Sequence, residues 1–131
     1  MEDAVRTGRV RCAPYEVGGL HTPDGLRLRI FVHEALRHGH KPLYAAIVEL
    51  ARREGLAGAT VFRGMEGYGL HRHLRTARLV DLSDDLPIIV EIVDTSEAIR
   101  RFVPLLDQLI PHGTATLSPV HIVKYSTGHR T

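Results

Sequence analysis

Leu86-Pro87-Ile88-Ile89-Val90-Glu91-Ile92-Val93-Asp94 is the stretch on which the fold turns. Ile88, Val90 and Ile92 line one face of an extended segment and Ile89, Glu91 and Val93 the other, so this is a strand with apolar side chains on both faces. Pro87 has no N–H to give to a ladder and fits only near the strand's start. Upstream, Leu26, Leu28, Ile30 and Val32 alternate with Arg27, Arg29, Phe31 and His33, the period of two of a half-buried strand. Two such strands with apolar stripes need a shared core.

The segments between and after them supply it. A polar loop, Glu34 to His40, leads to Lys41-Pro42, where Pro suits the first turn of a helix. Leu43, Ile47, Leu50 and Ala51 then form an amphipathic stripe, Arg52 and Arg53 complement the helix C-terminus, and Gly55 is a left-handed stop. Ala59-Thr60-Val61-Phe62 within Gly58 to Arg63 reads as a second strand, followed by a Gly-rich polar stretch from Gly64 to Thr76. After the Leu86–Asp94 strand, Asp94-x-x-Glu97 resembles a capping box, and the helix behind it buries Ile99, Phe102, Val103, Leu106, Leu109 and Ile110. Pro104 is expected to kink that helix or shift its start, and Pro111 to end it. The last strand is expected at Val120 to Tyr125, with a short one at Thr114–Leu117 before it. The order is β-α-β-β-α-β, an α+β ferredoxin-like antiparallel sheet with two helices on one face. Phe31, Ile89, Val93 and Val123 would then lie on the uncovered face, and a sheet apolar on both sides implies a closed oligomer.

The chain divides into an N-terminal extension, residues 1–25, a domain at 26–125 and a tail at 126–131. The extension carries Gly8, Pro14, Gly18, Gly19, Pro23 and Gly25 with little periodicity, although Arg9–Tyr15 could pack as an extra strand. A length of 131 residues suits one domain with a core of its own. Cys12 is the one cysteine, which excludes an internal disulfide framework or a multi-cysteine metal knuckle and suits a reducing, cytoplasmic setting. No apolar run approaches a membrane span, so the chain is not membrane-inserted. The formal charge of +2 and the absence of Trp speak against nucleic acid. Only Lys41 and Lys124 are lysine among the 17 basic residues, a bias that a GC-rich genome explains.

Gly67-Tyr68-Gly69 is the first candidate for chemistry. Two glycines around one residue let backbone N–H groups approach an anion, and Arg63, His71, Arg72, His73, Arg75 and Arg78 would surround it with positive charge, making a phosphate cradle. A hairpin with a solvated basic tip fits the same residues. His71-x-His73 could ligate a metal from one face of an extended loop, and His33-x4-His38-x-His40 could do so in the first strand–helix loop, but two imidazoles without a carboxylate or thiolate make a weak site. Asp81, Asp84 and Asp85 read as the solvated turn before a strand. Cys12 and Ser83 lack a positioned base or an elbow motif, so catalysis is not expected.

Several segments together resemble one family: Lys41-Pro42-Leu43-Tyr44, Gly55-Leu56-Ala57-Gly58-Ala59-Thr60-Val61, Arg63-Gly64-Met65-Glu66-Gly67-Tyr68-Gly69, Leu79, Asp81-Leu82-Ser83-Asp84-Asp85-Leu86-Pro87 and the Val120–Tyr125 ending. This is the PII-like family catalogued as domain of unknown function 190, and the likeness spans about Leu26 to Tyr125. The resemblance implies a homotrimer with sheets facing inward, a signalling role, and an adenine nucleotide bound in clefts between subunits. It implies ligand contacts from Arg63, Gly64, Gly67, Tyr68, Gly69, Leu70, His71 and Arg72. It makes residues 65–79 the analogue of the PII T-loop, which contacts a partner such as a membrane transporter. One departure stands out. PII proteins hold phosphates with a second Gly-rich loop containing a lysine, whereas Ile110-Pro111-His112-Gly113-Thr114-Ala115-Thr116 has one Gly and no Lys. Two alternatives remain open on the residues alone: a divalent-metal-binding trimer of the cation-tolerance type, with His71 and His73 as ligands, and a structural trimer that binds nothing.

Overall fold

In the computed structural model, residues 24–69, 72–78, 85–111 and 113–123 are described. The first strand, β1, is Gly25–His33. Two-residue strands β2 (Arg37–His38) and β3 (Lys41–Pro42) pair with each other and turn the chain into helix α1, Leu43–Arg53. Strand β4 (Thr60–Arg63) follows, then the short strands β5 (Glu66–Gly67) and β6 (Arg75–Thr76), the long strand β7 (Pro87–Thr95), helix α2 (Ser96–Leu109) and strand β8 (Thr114–Val120).

The main sheet has the order β4-β7-β1-β8, antiparallel throughout. This is the ferredoxin-like arrangement, with both helices on one face. The alternation read from the sequence sets the layers. Leu26, Leu28, Ile30 and Val32 of β1 and Ile88, Val90 and Ile92 of β7 are buried against Leu43, Ile47 and Ala51 of α1 and Ile99, Phe102 and Leu106 of α2. Register fixes what remains outside. Phe62 faces Ile89, and Ile89 faces Phe31, so three apolar side chains form one row across the uncovered face. Thr60, Glu91, Arg29 and Thr116 form the next row.

Helix termini are specified locally. Gly55 adopts φ +78, its N–H donates to the Arg52 carbonyl, and the Leu56 N–H donates to the Ala51 carbonyl. These two bonds are the paired closure of a Schellman motif, with Leu56 buried behind it. Helix α1 starts at Leu43 rather than at Lys41-Pro42, because those two residues pair with Arg37–His38 first.

The α2 cap also differs from expectation. Thr95, not Asp94, is the N-cap, its hydroxyl accepting from the Ala98 N–H at 3.2 Å. Asp94 is buried and accepts instead from the Ala57 N–H at 2.9 Å, tying the loop after α1 to the end of β7. Pro104 does not shift the start of α2: the helix begins at Ser96 and runs through it to Leu109. Pro104 lies on the exposed side, where water can hydrate the carbonyl that loses its N–H partner.

The final strand is corrected as well. It occupies Thr114–Val120, pairing with β1 from Phe31↔Thr114 to Gly25↔Val120, and does not start at Val120. His121–Val123 lie beyond it, so Val123 belongs to no strand face; Lys124 and Tyr125 fall outside the described residues. The short strand expected at Thr114–Leu117 is thus real and runs on through Pro119 to Val120; β8 is an edge strand of the sheet, where a missing donor costs little. The expected extra strand at Arg9–Tyr15 also lies outside the described residues.

The cap assignment has a direct check. Thr95→Ala should lower stability in urea unfolding by about 1 kcal/mol, whereas Glu97→Gln should cost only about 0.3 kcal/mol, the helix-dipole share of a first-turn acid. Equal losses would mean that a capping box operates after all.

Candidate functional site

Between β4 and β7 the chain leaves the sheet as a two-stranded ribbon, with Glu66 opposite Thr76 and Gly67 opposite Arg75. Its base is fixed to the start of β7. The Gly64 N–H donates to the Pro87 carbonyl at 2.7 Å, and the Ala77 N–H donates to the Met65 carbonyl at 2.8 Å. A side chain would not fit between ribbon and strand without displacement. A Cβ on Gly64 would lie 3.2 Å from Pro87 Cβ, and one on Gly67 would lie 3.1 Å from Pro87 Cγ. A Cβ added to Gly69 would meet nothing within 4 Å, so of the two glycines flanking Tyr68 it is Gly67 that close packing requires.

Three carboxylates hold the ribbon. Glu66 accepts from the Thr76 hydroxyl at 2.8 Å and from Arg78 Nε at 2.7 Å. The Thr76 hydroxyl, buried inside the ribbon, lowers the Glu66 carboxyl below its ordinary range, and Arg78 adds to this. Glu34 accepts from Arg63 Nη2 at 2.9 Å. Asp85 joins three elements: His33 Nδ1 lies 2.7 Å from its Oδ1, the Ala35 N–H donates to the same oxygen at 2.9 Å, and Arg75 Nε donates to its Oδ2 at 2.9 Å. Burial pushes the Asp85 carboxyl up, but the Ala35 N–H, His33 and Arg75 together outweigh it and hold it below the usual carboxylate range.

The expected site residues therefore separate into groups. Gly64, Gly67, Tyr68 and Gly69 lie together along the ribbon, and Arg63 is the last residue of β4 just before it. Arg72 reaches back to it, its N–H bonded to the Gly69 carbonyl at 2.8 Å in a left-handed conformation of φ 57. Leu70 and His71 lie outside the described residues, and so does one half of the His71–His73 pair. His33 is engaged with Asp85, while His38 is in β2. Among the described residues no three His, Cys, Asp or Glu side chains gather as metal ligands. Three of the expected cations spend donors on carboxylates: Arg63 on Glu34, Arg75 on Asp85 and Arg78 on Glu66. Arg72 and His73 are exposed, as is Tyr68, at 72%. What the ribbon presents is thus an aromatic ring and basic side chains on a rigid base.

Asp85 is not merely part of a solvated turn, as its sequence context alone suggests, and nothing in the sequence singles out Glu34. Their partners come from strand ends that meet only through register, with His33 opposite Pro87. Acidic residues flanking two strands whose pairing is antiparallel would have been the available signal.

A ferredoxin-like sheet with a ribbon inserted between β4 and β7 is the architecture of PII-like proteins. The chain belongs to the DUF190 family, described as "Uncharacterized ACR", whose pattern it matches over residues 25–122. A UPF0166 protein of Aquifex aeolicus is 40% identical over 96 residues, covering 73% of this chain and 90% of that protein. Solved structures with a similar fold include the following two. One is a putative PII-like signaling protein from Thermus thermophilus, with TM-score 0.52 and 27% identity over 76% of this chain and 90% of that one. The other is CPII, a nitrogen regulatory PII-like protein from Thiomonas intermedia K12 bound to ADP, AMP and bicarbonate, with TM-score 0.54 and 18% identity over 76% of this chain and 89% of that one. No helix among the described residues is long and apolar enough to cross a membrane.

The Asp85 hub predicts a pH dependence. A carboxyl with a depressed folded pKa stabilises above its unfolded value, 3.8, and loses that contribution as pH falls through the lower folded value. Asp85→Asn should therefore be less stable than the wild type by about 1–3 kcal/mol at pH 7, and the gap should close only below about pH 4. Denaturant melts at pH 3, 5 and 7 check this; a gap already absent at pH 5 contradicts it.

Proposed function

We propose that this protein is a PII-like regulator rather than an enzyme: a homotrimer that binds a small ligand, an adenine nucleotide, in clefts between subunits and acts on a partner protein through residues 65–79. The observation that carries this reading is the ribbon. It is anchored on Pro87 by Gly64 and Gly67, and it displays Tyr68, Arg72 and His73 outside the sheet. An exposed ring can stack on a base, and an exposed arginine can take a phosphate. CPII, which shares the fold, is bound to ADP and AMP, and this supports the choice of ligand class.

The apolar row Phe62–Ile89–Phe31 supports assembly. Phe62 is 48% exposed and Phe31 38%, on a face that no helix covers, and closed symmetry is the usual way to bury such a face. The loop at 110–116 lacks the lysine with which PII proteins grip phosphates, so the phosphates would lie on the ribbon side, at Arg72 and the backbone N–H groups of 67–69. A partner protein, of which a membrane transporter is the kind the resemblance implies, would meet the ribbon's outer surface from the cytoplasm.

Calorimetry with ATP, ADP and AMP tests the binding. Saturable heat is expected with at least one of them, weakened tenfold or more by Gly67→Val, whose side chain would force the ribbon off Pro87, and by Arg72→Gln. Absence of saturable heat with all three would overturn the ligand assignment. Light scattering of the same samples should give the mass of three chains, and Phe31→Glu with Phe62→Glu should shift it to one.

A further inference from the structure

Two helices cover a four-stranded sheet only across its middle. Helix α1 packs on β7, and α2 packs on β1 and β7, so the helix side of β8 lies beyond them. Register shows what this leaves open. Ala115 faces Ile30, Leu117 faces Leu28 and Pro119 faces Leu26, and all three partners are core residues. Ala115, Leu117 and Pro119 therefore point to the helix side. An apolar stripe on that side belongs in a core, yet Ala115 and Pro119 are exposed and Leu117 is only half-buried. The stripe borders an apolar groove of about 360 Å³. Val103 and Ile110 of α2 form one wall, Ala115 and Leu117 the other, and Leu28 and Ile30 the floor. The groove opens on the helix side, away from the Phe62–Ile89–Phe31 row by which subunits would assemble.

The chain itself delivers an occupant. Asp24, the residue before β1, is tied to both walls. Its carbonyl accepts from the Ser96 N–H at 3.2 Å, where α2 begins, and its carboxylate accepts from the Ile122 N–H at 3.3 Å, just past β8. Residues 1–23 therefore join the domain between α2 and β8, in line with the groove. β1 runs away from that point, so a segment entering the groove must reverse direction, and Gly18, Gly19 and Pro23 are turn-forming residues placed to allow it. Upstream of them Ala13, Tyr15 and Val17 alternate with Pro14 and Glu16, which puts three apolar side chains on one side of an extended stretch. Residues 13–17 match in number the stretch from Gly113 to Leu117 that lines the groove, about 16 Å in either case. The C-terminal tail, 124–131, offers only Tyr125 as a large apolar residue and has no such alternation.

We propose that residues 13–17 of the N-terminal extension lie extended in the groove between α2 and β8, with Ala13, Tyr15 and Val17 turned into it. A groove of this size takes a few side chains and not a helix, whose diameter is about 10 Å. The Tyr15 hydroxyl needs a partner once its ring is buried, and Asp107, the one carboxylate lining the groove, supplies an acceptor. The extension is then a strap that completes the core on the β8 side, where neither helix reaches. The inference goes beyond the regulator reading and does not depend on it, since no nucleotide enters it.

Solution NMR on the full chain, without nucleotide, tests it. Methyl-labelled protein should show nuclear Overhauser contacts from the Tyr15 ring to methyl groups of Val103, Ile110 or Leu117. A sample mixing methyl-labelled chains with chains that carry only protonated tyrosine separates contacts within one chain from contacts between chains. Tyr15→Ser combined with Val17→Ser should raise the hydrogen-exchange rates of the 114–118 amides about tenfold and increase binding of the dye ANS, while circular dichroism stays unchanged. Tyr125→Ser should alter neither reading. Gly67→Val should leave the Tyr15 contacts intact, so failure here and failure of the nucleotide reading are separate results. The proposal is overturned if Tyr15 contacts no methyl group of the groove, or if the double variant exchanges like the wild type. It is also overturned if the contacts arise between chains, which would assign the groove to a second copy, or if Tyr125→Ser reproduces the effect, which would assign it to the C-terminal tail.

Discussion

The pairing of β1 with β7 is the constraint on which the rest depends. Nine residues face nine, from Gly25↔Thr95 to His33↔Pro87, and a slip of one would turn β1 over relative to β7. Leu26, Leu28 and Ile30 would then lie outside, and Arg27 and Arg29 would enter the core, where an unpaired guanidinium is very costly. The register is therefore enforced by the arginines as much as by the aliphatic residues. With it fixed, the ends of the two strands are also fixed, and the ends hold the ribbon.

That linkage explains why charge is arranged as it is around the ribbon. Basic residues outnumber acidic ones there, and left alone they would repel. Glu34 follows β1 and Asp85 precedes β7, so the central register brings both carboxylates to the ribbon's base, against Arg63 and Arg75. Exposed ion pairs contribute little stability. Asp85 is a different case, because it accepts from a backbone N–H and a guanidinium and sits beside an imidazole, joining the loop after β1, the ribbon and the start of β7 through one side chain. A ribbon held in this way can keep Tyr68 and Arg72 in position with few apolar contacts of its own.

Most of the sheet and both helices were legible in the sequence because alternation and the 3.6-residue stripe report burial directly. Gly55 was legible because its left-handed turn leaves a mark in residue type. What was not legible depended on position within the sheet. The strand at Thr114–Leu117 was legible, but not its continuation through Pro119 to Val120, which only a place at the sheet's edge makes acceptable. Thr95 and Asp94 are both good caps by type; Asp94 is lost to that role because the Ala57 N–H, 37 residues away in sequence, claims it. The candidate site divides similarly. The Gly67-Tyr68-Gly69 signature was visible, but which glycine is needed follows from Pro87, a contact across a loop that no local pattern encodes.

Pro87 links these observations. It cannot donate to the ladder, so it belongs at the start of β7, and its carbonyl is free to accept from Gly64. Its ring fills the space that side chains at 64 and 67 would need. The ribbon is thus seated on a rigid residue whose neighbour in β1 is His33, and His33 meets Asp85, which holds Arg75 on the ribbon's other strand. The contacts form a closed circuit: β7 to Gly64, along the ribbon to Arg75, through Asp85 to His33, and back to Pro87. A ligand that moves the ribbon must open the circuit at one of its joints. The ionic joint at Arg75–Asp85 is the one that another anion can substitute, whereas the packing of Gly64 and Gly67 on Pro87 has no soluble competitor.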